Sequence, residues 1–152
     1  MTRFKTIIYL LCSGLFSVSS FAQTTPLADS VVQSVQKQKD YSRKIEILQK
    51  NINEIYNTKS DETLILARFG YDLANQKNDK VNRGNFLRLI GLSMMKKGHI
   101  DSASVYYYKA LKELELTKDT EKLGLLYDDM ARMYRKLKQT KRSLEFYDKA
   151  LK

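Results

Sequence analysis

The chain has 152 residues, carries 27 Lys+Arg against 17 Asp+Glu for a formal charge of +10, and contains one cysteine, one histidine and one proline. Its length holds one domain of ordinary size. A lone cysteine cannot form an internal disulfide, and a lone histidine beside it leaves no residue set for a zinc site or a thiol–imidazole pair.

Residues 1–22 read as a secretory signal peptide. Arg3 and Lys5 precede an apolar run from Ile7 to Val18, followed by Ser20-Phe21-Ala22, a small-x-small site before Gln23. The run is roughly a dozen residues against the ~20 that a membrane span needs, and serines interrupt it from Ser13 onward. Cys12 follows Leu10-Leu11 and lies too early for a lipoprotein site. Loss of Arg3 and Lys5 lowers the charge from +10 to +8 and leaves a mature chain without cysteine or an Asn-x-Ser/Thr acceptor. Export without bridges or sequons points to a bacterial periplasm, with full secretion as the other destination. The basic residues are spread as short pairs among acids, the pattern of a solvated helical surface, and export argues against nucleic acid as a partner.

The segment 23–40 is expected to be a lead-in, flexible to about Leu27, with Leu27, Val31 and Val35 spaced for a short capping helix. Beyond it there is no proline, and apolar residues recur at helical spacing, which predicts an all-α domain over 41–152. A first helix carries Ile45, Leu48, Ile52 and Ile55, and a second carries Leu64, Ala67, Tyr71 and Ala74. Between them lies the polar turn Asn57–Asp61, where Ser60 or Asp61 is expected to cap. After a polar break from Asn75 to Asn82, a third helix shows Leu87, Ile90 and Met94 and ends at Lys96-Lys97-Gly98. Asp101 is expected to cap a fourth, with Ala103, Tyr107, Ala110, Leu111 and Leu114 inward. The fifth presents Leu123, Tyr127, Met130, Ala131, Tyr134 and Leu137. The sixth, from Thr140, presents Leu144, Tyr147 and Leu151.

These helices repeat. Tyr106-Tyr107-x-Lys109-Ala110-Leu111-Lys112 returns 40 residues later as Phe146-Tyr147-x-Lys149-Ala150-Leu151-Lys152, and Asp79/Asp119, Gly84/Gly124, Gly91/Ala131 and Lys96/Lys136 keep the same spacing. A fixed period means stacked units. Leu87-x2-Ile90-Gly91-x2-Met94, Gly98, then Ala103-x3-Tyr107-x2-Ala110-Leu111 resembles the tetratricopeptide repeat, in a variety with a period of 40 rather than about 34. Small residues in such a unit let two helix backbones approach while large ones fill the rest. The second copy follows the same grammar through Tyr127, Met130, Ala131, Tyr134, Ser143, Tyr147 and Ala150. The first is weaker, its best match starting at Ile45 with a longer turn inferred. Lys138 stands where Gly98 does, and Glu115 where the family closes with proline.

The resemblance implies a right-handed superhelix of antiparallel pairs, about 41–78, 79–118 and 119–152, whose last helix is cut short at Lys152. An uncovered last helix would fray or recruit another chain into an oligomer. It also implies a groove lined by the first helix of each pair: Asn85, Arg88, Leu92 and Met95, then Leu125, Asp128, Arg132 and Arg135. Apolar surface beside arginine suits a peptide with an acidic element. Leu92, Leu125 and Asp129 stand where a C-terminal-carboxylate clamp would need polar or basic groups.

The function so implied is that of an exported protein- or peptide-binding scaffold. The alternative is the sensory input domain of a membrane-anchored histidine kinase or DNA-binding regulator whose output domain is missing here. No cofactor, metal site or enzyme activity is expected. His99 sits on a turn, Asp128 and Asp129 diverge around their helix, and no glycine-rich phosphate loop occurs.

Overall fold

In the computed structural model, which describes residues 25–117 and 119–152, seven α-helices follow one another and no strand occurs among the described residues. The segment read as a signal peptide lies outside them. The helices are α1 (Pro26–Gln36), α2 (Tyr41–Ile55), α3 (Ser60–Gln76), α4 (Lys80–Lys96), α5 (Ile100–Leu114), α6 (Thr120–Lys136) and α7 (Thr140–Ala150). None of them is long and apolar enough to cross a membrane.

From α3 onward a helix starts every 20 residues, so the 40-residue period of the sequence is the length of a helix pair. The turns explain this regularity. After α3, α4 and α6 the chain takes one residue of positive φ: Asn78 at 52°, Gly98 at 85° and Lys138 at 58°. At each turn the following N–H returns to a carbonyl of the last helical turn, Asp79 to Ala74, His99 to Met94 and Gln139 to Tyr134, all at 2.9 Å. The preceding N–H of Asn78, Gly98 and Lys138 closes the inner bond to Asn75, Met95 and Arg135. These are Schellman caps, which satisfy the orphan carbonyls and reverse the chain within three residues.

Helix starts alternate with the same period. Asp40, Asp79 and Asp119 cap α2, α4 and α6, each carboxylate accepting the N–H three residues on, at 2.8, 3.0 and 3.0 Å. The second helix of each pair has no such bond: Lys59, His99 and Gln139 occupy the cap. Ser60 and Asp101, expected as caps, are therefore inside their helices, and Asp61 instead pairs with Lys97. Since Asp40 precedes Asp79 by 39 residues, Leu48 rather than Ile45 takes the place of Leu87. The longer turn does occur, as the four residues Tyr56–Lys59.

Antiparallel pairing shows in which residues meet. Along α4 and α5, Gly91 lies under the Tyr107 ring and Gly84 under Leu114; along α6 and α7, the Ser143 hydroxyl donates to the Ala131 carbonyl at 2.9 Å, and Gly124 faces Ala150. In both cases one position steps back as the other steps forward. A β-carbon at Gly91 would come within 2.7 Å of the Tyr107 ring, and one at Gly70 within 2.4 Å of Phe86. Close approach is the reason for glycine at both places. The first helices run parallel to one another. Tyr41 at the start of α2 donates to Asp79 at the start of α4 (2.8 Å), and Lys96 at the end of α4 donates to the Tyr56 carbonyl at the end of α2 (2.6 Å).

The core follows these contacts. Ile45, Leu48 and Ile52 of α2 are buried, as are Ala103, Tyr107, Ala110 and Leu114 of α5. In α3 the buried face is Thr63, Leu66, Ala67, Gly70 and Ala74, so the expected Leu64 and Tyr71 are only half-buried. In α4 nearly every residue from Gly84 to Met95 is buried, since α3, α5 and α6 all pack against it. The sixth predicted helix departs most: Leu144 and Leu151 are exposed, and Phe146 packs inward, stacked on Tyr134 at 5.3 Å. α1 starts at Pro26, capped by Thr25, and lays Ala28, Val31 and Val35 against α2 and α3, so the lead-in is already helical before Leu27.

Candidate functional site

The parallel helices α2, α4 and α6 leave a cleft of about 360 Å³ lined by Asn53, Tyr56, Arg88, Leu92, Leu125 and Arg132, among others. It adjoins a smaller hollow of about 140 Å³ that shares Asn53, Arg88 and Leu125 and adds Gln49, Asn85 and Lys122. Six of the eight groove residues named from sequence, Asn85, Arg88, Leu92, Leu125, Asp128 and Arg132, line one of these two spaces. Leu92 forms the floor, 3% exposed, while Leu125 stands 45% exposed at the rim.

Two of the eight do not line it. Met95 is buried, and its sulfur accepts the Tyr107 hydroxyl at 3.9 Å, so it is core and offers no adaptable surface. The reason is that α4 is packed on three sides, and Met95 falls on the side toward α5. Arg135 is exposed, outside both hollows.

The arginines are already occupied. Arg88 donates through Nη1 to the Asp129 carboxylate at 2.7 Å and through Nε to the Asn85 carbonyl oxygen at 3.3 Å. Arg132 pairs with Asp128 and stands 4.0 Å from Asp129. Asp128 and Asp129, expected to diverge, thus join one network, because a long guanidinium bridges adjacent helix positions. Burial pushes the Asp129 carboxyl above its usual range, and Arg88 opposes that shift. The Arg88–Asp129 pair is nearly dry, with side chains 11% and 4% exposed, whereas Arg132 is 48% exposed.

Neutral amides supply much of the remaining lining. Gln49 donates to Asn82 at 2.7 Å, tying α2 to α4, and Asn53 faces the cleft between them. Lys96 donates to the Tyr56 carbonyl and, at 3.0 Å, to the Asn57 side chain, two residues of the lining; burial lowers its pKa. The α2 contribution has no signal in the sequence, because the first copy matches the repeat too weakly to register Gln49 and Asn53 against Arg88 and Leu92.

The rest of the molecule places its polar chemistry apart from this face. His99 is exposed on its turn, and among the described residues no three His, Cys, Asp or Glu side chains lie close enough together to hold a metal ion. Of the tyrosine run, Tyr107 is core, Tyr106 half-buried and Tyr108 exposed, its hydroxyl 2.6 Å from that of Tyr134. No family model, curated protein or solved structure matches the chain.

Proposed function

We propose that the chain is an exported tetratricopeptide-type repeat protein, its pairs stacked as a right-handed superhelix, that acts as a protein- or peptide-binding scaffold. The observation that carries this reading is the run of three parallel first helices with one connected, partly apolar cleft between them. Its lining of leucines, amides and paired charges suits a polypeptide segment, whose backbone can bond to Asn53, Gln49 and Asn85 while one apolar side chain covers Leu92 and Leu125. An acidic element on the partner would meet Arg132, which is half exposed, because Arg88 is committed to Asp129. Binding therefore does not demand an acidic partner.

The reading of export rests on the pattern of residues 3–22, and a mature chain without cysteine fits a periplasmic site. A photo-crosslinking amino acid at Leu125, compared with one at exposed Val105 on α5, tests the groove in producing cells. Discrete adducts from position 125 alone, in the fraction released with the periplasm, are expected. Equal adducts from both positions, or none from 125, would refute the groove, and cytoplasmic recovery would refute export.

A further inference from the structure

A second cleft, of about 450 Å³, lies on the opposite side of α4, between α3 and α5. Its floor is Leu87 and Ile90, and its walls include Tyr71 from α3 and Tyr106 from α5. Three cations reach it: Arg68, Lys109 and Lys112. Among the described residues none of the three has a hydrogen-bonding or ion-pair partner, and of the three only Lys109 lies over an aromatic ring, that of Tyr106 at 5.5 Å. Of the two acids present, Glu113 is taken by Arg83 at 2.6 Å, which leaves Asp72 alone against three positive charges.

The repeat supplies an internal control. Forty residues on, Tyr127 stands in place of Leu87, Phe146 in place of Tyr106 and Lys149 in place of Lys109. There the space is filled from within: Phe146 lies 6.0 Å from Tyr127 and 5.3 Å from Tyr134, and Lys149 covers the Tyr127 and Phe146 rings at 5.7 and 5.1 Å. In the second site two rings thus lie beneath the lysine. In the first, Lys109 has only the Tyr106 ring beneath it, and Leu87 stands where the second ring would be. On the other side α1 packs against α3.

We propose that the α3–α5 cleft is a binding site for a small amphiphilic carboxylate, an aromatic or aliphatic body with one acid group. The body rests on Leu87 and Ile90 between the two tyrosines, and the acid group meets the Arg68, Lys109 and Lys112 rim. The volume falls in the range of small-ligand pockets, and an apolar lining with a few convergent charges is their usual composition. Charge sign favours the acid over its amine counterpart.

Nuclear magnetic resonance titration of the purified protein with 4-phenylbutyrate, 4-phenylbutylamine and an acidic phenylalanine-containing peptide tests this. The acid is expected to bind saturably at millimolar concentration or tighter, about what a dozen non-hydrogen atoms supply. It should shift Tyr71, Leu87, Ile90 and Tyr106, with the amine about ten-fold weaker. Arg68 and Lys109 are both exposed, so the double variant Arg68→Glu/Lys109→Glu should fold with an unchanged melt and lose about ten-fold in affinity for the acid. Equal binding of acid and amine, undiminished affinity in the double variant, or shifts centred on Leu92 and Leu125 would overturn the assignment. Binding of the peptide without the free acid would overturn it in favour of a polypeptide partner.

Discussion

Removing either member of the Arg88–Asp129 pair should destabilise the chain more than any exposed charge change. The two meet at 2.7 Å across α4 and α6, with side chains 11% and 4% exposed. Asp129→Ala leaves the Arg88 guanidinium with only the Asn85 oxygen at 3.3 Å and the cation of Arg132 nearby. Arg88→Ala leaves a buried carboxylate whose nearest remaining cation is 4.0 Å away. Breaking a buried pair from one side typically costs about 3–5 kcal/mol, since the remaining charge is desolvated and unpaired. The limited exposure of Arg88 argues for the lower end, about 3 kcal/mol, or about 10 °C in melting temperature for a domain of this size. Replacing both, as Arg88→Met/Asp129→Leu, removes both desolvation costs and should return to within about 1 kcal/mol of the parent. Urea unfolding followed by circular dichroism measures all of these on one scale. In the alanine cycle, a coupling energy below about 0.5 kcal/mol would mean that the residues do not touch, and the parallel stacking of α4 on α6 would lose its best-defined contact.

Three further outcomes follow from the turns and the close approaches. Gly91→Ala puts a methyl carbon 2.7 Å from the Tyr107 ring and 3.2 Å from the Ala103 carbonyl oxygen, an overpacking that should cost about 1–3 kcal/mol in a thermal melt. Lys138→Gly relieves a lysine held at φ 58° and should stabilise by about 0.5–1 kcal/mol, while Gly98→Ala, at φ 85° with open space around it, should cost about 1 kcal/mol; chemical denaturation reads both, and a null result at the two positions would discredit the Schellman turns. Asp119→Ala removes the α6 cap and should cost about 1 kcal/mol at about pH 6. The N–H of Lys122 holds the Asp119 carboxyl below its ordinary range, so its contribution is present above the unfolded pKa and is lost as pH falls through the folded one. The gap between parent and variant should therefore shrink in denaturation at about pH 3, and a gap that widened there would contradict the cap.

The period was the most legible feature, because it depends on turns that recur in chain order. Asp79 and Asp119 stand out in the sequence as a spaced pair, yet their capping role emerges only beside Asp40, one residue out of step. Faces were harder to read than elements. In α3 the large residues Leu64 and Tyr71 suggest one stripe, but the backbone approaches α4 where Gly70 admits the Phe86 ring, and that contact turns Thr63 and Leu66 inward. In α4 the stripe of Leu87, Ile90 and Met94 is only part of the packed surface, since the helix is buried on most of its circumference. The repeat pattern marks Arg88 as a groove residue and Asp129 as a poor clamp residue, but their bond joins two helix pairs and leaves no trace in local spacing.

Departures from the repeat matter more to the two clefts than the repeat itself. Positions shared by both copies, such as Tyr107 with Tyr147 or Ala110 with Ala150, bring helices together and would do so in any unit of the array. Leu87 against Tyr127 decides whether the space over the first helix is open or filled, and Arg88 against Asp128 gives adjoining pairs opposite charge at one position. If those differences carry recognition, exchanging them should exchange the clefts. Tyr127→Leu with Phe146→Ala should open a hollow over α6 at a stability cost typical of a lost ring, about 3–5 kcal/mol. The α3–α5 cleft would be untouched, since none of its lining residues lies on α6 or α7. Loss of acid binding to the α3–α5 cleft in that variant, with its helices still formed, would show that the two spaces are not independent.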